Sequence, residues 1–385
     1  MVGLSEENLR SDIARRRKNL EGIMDRGDLS AILVPVAGAP RMNGLLRYFT
    51  NADLWAGKAY LLFSRCADRP RVLYASNYEA AWGEVTAVDA DVETVETDCD
   101  PLERLLELVF EVAEGGGRLG VANADTHFSA RDWRVLAPGF STFELVDVTD
   151  DIDELRLIKS PFEVAAMQQL GRIMAEATDI YARQLRPGAR AWAAGSMAEA
   201  HVKGAGGFRG WHKHSFGGTP FSMPTTLDRR LEKNDTITFE LDYSGPFGYW
   251  CELSTVFSFE RLSEDDRRLL ETTRLAIEES SRAAIPGVGK GVVGEVSDAV
   301  FRDAGYEVIG SHTRHCHTIG TDDLDRRYPL SDDDELREGM VLSFHPATLT
   351  EGGRAFLVSD NFLVTPEGAV PLSPREAIYR RIDRS

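Results

Sequence analysis

Apolar strands seldom carry charge, yet one stretch of this chain places three acids inside strand-like sequence. It runs from Phe239-Glu240-Leu241-Asp242 through Tyr-Ser-Gly-Pro-Phe-Gly-Tyr-Trp to Cys251-Glu252-Leu-Ser-Thr-Val-Phe257. Glu240 and Asp242 are two apart, so in a strand both carboxylates leave the same sheet face. Pro246 and Gly248 signal a turn that folds Glu252 back beside them. Carboxylates gathered this way repel, and at least one must be protonated, hydrogen-bonded or bound to a cation. That cost argues against an accidental cluster. The bland alternative is a set of solvated acids on an edge strand.

Two later stretches also set polar groups in apolar surroundings. In Arg314-His315-Cys316-His317-Thr318-Ile319-Gly320, the two histidines at i and i+2 share one side of a strand. In Gly339-Met340-Val-Leu-Ser-Phe-His345-Pro346, a histidine closes a strand, and Ser359-Asp360-Asn361-Phe-Leu-Val-Thr365-Pro-Glu-Gly368 follows. Taken singly, each histidine is as well explained by a surface or core position. Catalytic candidates are thus Glu240, Asp242, Glu252, His317 and His345. Trp211, His214, Phe216, Phe247, Tyr249 and Trp250 are expected to wall a pocket, where aromatic faces would suit a cation. Core packing is the competing account of these rings.

The chain of 385 residues suggests two or three domains. Ala31-Ile-Leu-Val-Pro-Val36, Tyr60 to Phe63, Arg71 to Tyr74, Gly117 to Ala122 and Phe143 to Asp147 read as strands, alternating with helical patterns into an α/β domain. An acidic seam, Asp150-Asp-Ile-Asp-Glu154, ends it. Ser160-Pro161, with Glu163 just inside, then starts a long helix. Two helices, strands, two more helices and further strands make the second half α+β. The expected boundary gives domains of residues 1–154 and 155–385.

A formal net charge of −18, with no Lys/Arg-rich run, repels phosphate backbones and argues against nucleic acid. The first residues lack the apolar core of a signal peptide, and no stretch is apolar enough to span a membrane. The four cysteines (Cys66, Cys99, Cys251 and Cys316) form no CxxC pair, so reduced thiols in a cytoplasmic protein are expected.

Taken in order, the three polar stretches resemble the pita-bread family, which includes methionine aminopeptidase, aminopeptidase P, prolidase, creatinase, ectoine hydrolase and a dimethylsulfoniopropionate lyase. Leu155-Arg-Leu-Ile-Lys-Ser-Pro-Phe-Glu-Val-Ala-Ala-Met167 looks like that family's entry to its catalytic domain. Asn43-Gly-Leu-Leu-Arg-Tyr-Phe-Thr-Asn51 is similar to a segment of the creatinase-type N-terminal domain. The resemblance implies an α/β creatinase-type N-terminal domain followed by an α+β pita-bread catalytic domain. It also implies a homodimer in which Trp55 and Lys58 reach the partner's site.

Peptidases of the family hold two divalent metals with two aspartates, a histidine and two glutamates. Here the first Asp slot falls at Glu240 or Asp242, the second at Glu252 and the His slot at His317. His345 stands in the first Glu slot and Ser359 in the second, with Asp360 beside it. Phe221 to Thr225 lacks the family's relay histidine, although His212 and His214 lie upstream. Loss of anionic ligands predicts a centre without a two-metal cofactor. If one ion is bound, its ligands come from His317, His345, Glu252 and Asp242. The implied activity is hydrolysis of a C–N bond in a small polar or zwitterionic nitrogenous compound, creatinase- or ectoine-hydrolase-like, with no cofactor. Glu240 would be nucleophile or base. The alternatives are a metal-dependent lyase or Xaa-Pro peptidase, and a non-catalytic peptide-binding module.

Overall fold

The computed structural model describes residues 3–38, 43–95, 99–113, 116–218, 223–224, 229–308, 316–325, 330–348 and 353–383. The chain separates into two compact units divided between Arg156 and Leu157, except that Asp325 groups with the first.

In the first unit a six-stranded sheet has the order β4-β3-β2-β1-β5-β6, formed by β1 (Leu29–Ala37), β2 (Lys58–Ser64), β3 (Arg71–Tyr74), β4 (Asp91–Thr94), β5 (Gly117–Val121) and β6 (Phe143–Asp147). The apolar run in β1 is continuous because both its faces are covered. Ile32, Val34 and Val36 enter one core with Leu20, Ile23 and Phe49. Ala31 and Leu33 enter a second core with Leu105, Val109 and Leu136. The result is an α/β sandwich with a helical layer on each side.

The second unit holds two sheets. The larger has the order β15-β10-β9-β7-β8, with β7 (Gly210–Phe216), β8 (Met223–Pro224), β9 (Thr236–Ser244), β10 (Trp250–Ser258) and β15 (Tyr379–Arg381). The smaller has the order β11-β12-β13-β14, with β11 (Cys316–Thr318), β12 (Val341–Phe344), β13 (Asp360–Thr365) and β14 (Gly368–Pro371). The helix Pro161–Gln184 starts as its sequence demands. Ser160 Oγ accepts from the Glu163 N–H, and Glu163 Oε2 accepts from the Ser160 N–H at 2.9 Å, a reciprocal cap. This helix covers the outer face of the larger sheet, where Tyr181 stacks flat on Phe239 at a centroid distance of 3.7 Å. The helices Glu264–Ala283 and Lys290–Asp303 cover the smaller sheet through a core that joins Leu269, Ile277 and Val293 to Leu342, Phe344 and Phe362. The remaining faces of the two sheets meet where the Ser254 N–H donates to Ser359 O at 3.1 Å. Every residue of β9 and β10 is buried, acids included. None of the described helices is long and apolar enough to cross a membrane.

Candidate metal centre

Register decides which side chains can meet. β9 and β10 pair antiparallel, with Asp242 opposite Glu252 and Glu240 opposite Ser254; β7 adds Trp211 opposite Asp242 and Lys213 opposite Glu240. Directly opposed residues share a sheet face, so Trp211, Lys213, Glu240, Asp242 and Glu252 all project to the inner side. The predicted turn is present: Gly248 takes a φ of +81°, and its N–H donates to Gly245 O at 2.9 Å.

The smaller sheet and the loop after β11 supply the opposing groups. Glu252, His317 and His345 bring potential ligand atoms within 4.8 Å of one another, as do Asp242, Glu252 and Asp323. Glu252 belongs to both triads and is held on several sides. Ser343 Oγ donates to its Oε2 at 2.7 Å, and Asn361 Nδ2 donates to its carbonyl at 2.6 Å. His317 Nε2 lies 3.5 Å from Glu252 Oε1, and its Nδ1 lies 3.1 Å from Thr318 O, a contact that fixes the ring with Nε2 toward the acid. The rings of His317 and His345 are 5.1 Å apart. Ser359 Oγ donates to Glu240 Oε1 at 3.4 Å.

Electrostatics divides the acids. Burial opposes charge on Glu252, yet the imidazoles of His317 and His345 hold it well below the usual carboxylate range. Burial also disfavours a charged His317, but Glu252 and Asp323 outweigh it and raise His317 to about 9. Asp242 moves the other way. Burial, then the charges of Asp323 and Glu252, lift it well above the ordinary value. Neither Asp242 oxygen accepts a hydrogen bond among the described residues, and the side chain is fully buried. A buried carboxylate that accepts no hydrogen bond, beside two further acids, has the surroundings of a cation ligand. Nitrogen from two histidines and oxygen from three carboxylates form a donor set suited to first-row divalent metals. The residues present therefore fit a metal centre.

The comparisons with known proteins settle the family. Residues 165–366 match the sequence profile of metallopeptidase family M24. The chain belongs to that family. A relative at 23% identity over 253 residues, covering 63% of this chain and 70% of its own length, is an uncharacterized peptidase of Staphylococcus aureus strain USA300. Similar solved structures include the prolidase from Pyrococcus horikoshii OT3, with a TM-score of 0.76 at 18% identity, covering 94% of this chain and 99% of that one. The Xaa-Pro dipeptidase from Bacillus anthracis follows with a TM-score of 0.75 at 17% identity, covering 96% and 100%. These carry the same fold, with its N-terminal domain and pita-bread domain.

M24 membership corrects the expectation of no cofactor. The family is one of metallopeptidases, and this chain provides two ligand triads, which join Asp323 to the Glu252, His317, His345 and Asp242 expected to hold a single ion. His345 and Ser359 do replace the family's glutamates, but Asp323 supplies a carboxylate from another element. The signal was in reach, because Asp322 and Asp323 follow the His317-Thr-Ile-Gly320 motif almost at once.

The expected aromatic wall is also corrected. Only Trp211 and Trp250 lie on the inner face, their rings 5.8 Å apart. His214 and Phe216 fall on the opposite parity of β7, and His214 packs against Tyr181, Phe216 and Phe239. Phe247 packs edge-on against Phe162, and the Tyr249 hydroxyl donates to Glu163 Oε1 at 3.2 Å, so both serve the helix layer. Asp360, beside Ser359, points away from the acids into a buried pair with Arg375, at 3.3 Å. In the first unit Lys58 is engaged in an ion pair with Asp132, whereas Trp55 is exposed. His315 and Phe221, Ser222 and Thr225 lie outside the described residues.

Proposed function

We propose that this M24 chain is a metal-dependent hydrolase of a C–N bond in a small substrate, with Xaa-Pro dipeptides as the first class to test. One observation carries the reading: a buried Glu252 shared by two triads on the inner face of the sheet. Several similar solved structures are of a prolidase, an X-Pro aminopeptidase and an Xaa-Pro dipeptidase, which supports the peptide class. Divalent metal, when bound, supplies Lewis acidity toward a carbonyl oxygen and toward water.

The chain's own residues divide the remaining work. Ser343 and Asn361 hold Glu252 in place, so the shared ligand costs no reorganisation on loading. Glu240 belongs to neither triad, borders Asp242 on the same face and is positioned to take a proton from water. Having taken that proton, Glu240 can return it to the leaving nitrogen, while His345, partly exposed beside His317, would hold metal together with His317 and Glu252. Trp211 lines the inner face beside them and restricts bulky groups.

A second substrate class is non-peptide C–N compounds that are zwitterionic or amidinium-like. Its support is His345 and Ser359, which stand where peptidases of the fold carry glutamates. The test is a turnover screen of the purified chain loaded with Mn²⁺, Co²⁺ or Zn²⁺, beside an EDTA-treated sample. Xaa-Pro dipeptides and creatine- and ectoine-like compounds are offered in parallel. Hydrolysis of a dipeptide, lost on chelation, supports the first class, and turnover confined to the other panel moves the reading to the second. Glu240→Gln should lower turnover by about 10²- to 10⁴-fold while leaving metal content unchanged. Turnover that survives complete metal removal would overturn the proposal.

A further inference from the structure

One cation is already present on the acidic face, and it belongs to the chain. Lys213 projects from β7 directly opposite Glu240. Its Nζ lies 3.3 Å from Glu240 Oε2 and 3.6 Å from Asp242 Oδ2. The lysine side chain is 19% exposed, whereas those of Glu240 and Asp242 are 3% and 0% exposed. Its flexible stem thus carries a positive charge inward from the rim to the buried acids.

We infer that Lys213 is a tethered counter-ion that competes with a divalent cation for Asp242, so that the Asp242–Glu252–Asp323 triad loads only as the ammonium leaves it. The inference rests on the reading of the two triads as a metal centre. A cation on Asp242 and an ammonium within ion-pair distance of the same carboxylate repel strongly where little water screens them. The Glu252–His317–His345 triad does not include Asp242 and is spared that direct competition. The ammonium also has another seat: Nζ is 5.8 Å from the centroid of Trp211, on the same face of the same strand. A short swing toward that ring keeps a favourable contact for the charge while freeing Asp242. The two triads are therefore unequal, and the inequality lies in a side chain that ligates nothing.

Equilibrium dialysis of the full chain against buffered free Mn²⁺, with metal counted per chain, tests this. Wild type should bind a first equivalent at lower free Mn²⁺ than the second. Lys213→Met should bind the second equivalent at least about tenfold more tightly, because the competing charge is gone. Lys213→Arg, which keeps the charge, should follow wild type. Coincident isotherms for wild type and Lys213→Met, with Mn²⁺ bound by both, would overturn the inference and leave the metal centre standing. No Mn²⁺ bound by either would overturn both. Should Lys213→Met fail to fold by circular dichroism, Lys213→Met/Glu240→Gln removes the ammonium together with one of its carboxylates. The same tightening is expected there, and a second constant equal to wild type's would overturn the inference.

Discussion

Lys213 and His214 are neighbours in β7 and have opposite surroundings. Lys213 faces three carboxylates; burial works against its charge, but Glu240, Asp242 and Glu252 leave its ammonium above the ordinary value. His214 faces aromatic rings, and burial pushes it down to about 3. The unfolded chain takes up a proton at this histidine below about pH 6.5, whereas the folded chain does not. Its contribution to stability is therefore complete above that pH and is lost as pH falls toward about 3. At pH 5 the loss amounts to about 2 kcal/mol. Urea midpoints of wild type and His214→Phe between pH 7 and 5 check this. The variant should show a shallower fall, and parallel curves would count against a neutral, buried His214.

Strands β7, β9 and β10 form one device, and its closest tolerance is at Gly210. That residue has a φ of +143°, and a Cβ there would stand 2.2 Å from Asp242 O and 2.6 Å from Tyr243 Cα. Gly210→Ala should cost about 1–3 kcal/mol through backbone strain and displacement of β7, measured by urea denaturation. It should also weaken Mn²⁺ uptake, since the displaced strand abuts the backbone of Asp242. Much of this device is legible in the sequence. The β9–β10 hairpin follows from Pro246 and Gly248, and the long helix follows from the Ser160-Pro161 start with Glu163. What cannot be read locally is the pairing of β7 with β9, which spans the segment between them. A shift of one residue in that register exchanges Trp211 and Lys213 for His212 and His214 on the inner face. In that shifted register His214 and Phe216 would line the pocket, as expected from the sequence, and Lys213 would face the helix layer. Asp323 sits in a loop, where no period gives its direction, so only its closeness in sequence to His317 marks it.

The chain as a whole carries a net charge of −18, and its acids are concentrated again in the buried centre. An acidic surface draws cations toward such a site and discourages polyanions. The first unit adds a different surface. Trp55 and Tyr78 are each 62% exposed and Trp82 is 45% exposed. Tyr78 and Trp82 lie one turn apart on the helix Asn77–Thr86, and the Trp55 N–H bonds to Glu79 of that helix at 3.0 Å. Exposed aromatics grouped this way favour association, and we expect a homodimer. Light scattering should give twice the chain mass, and Trp82→Glu should shift the species toward one chain. A wild type that scatters as one chain would remove the route by which Trp55 reaches a partner's site.

Glu240, Asp242 and Glu252 lie on one short hairpin, whereas His317, Asp323, His345 and Ser359 come much later in the chain. During synthesis the hairpin therefore leaves the ribosome long before the groups that neutralise or ligate its acids. In that interval Lys213, which precedes all three and pairs opposite Glu240, is already made as a counter-charge for a strand that must eventually lie buried. The side chain proposed to compete with metal in the finished protein thus offers Glu240 and Asp242 a partner while the rest of the chain is still being made.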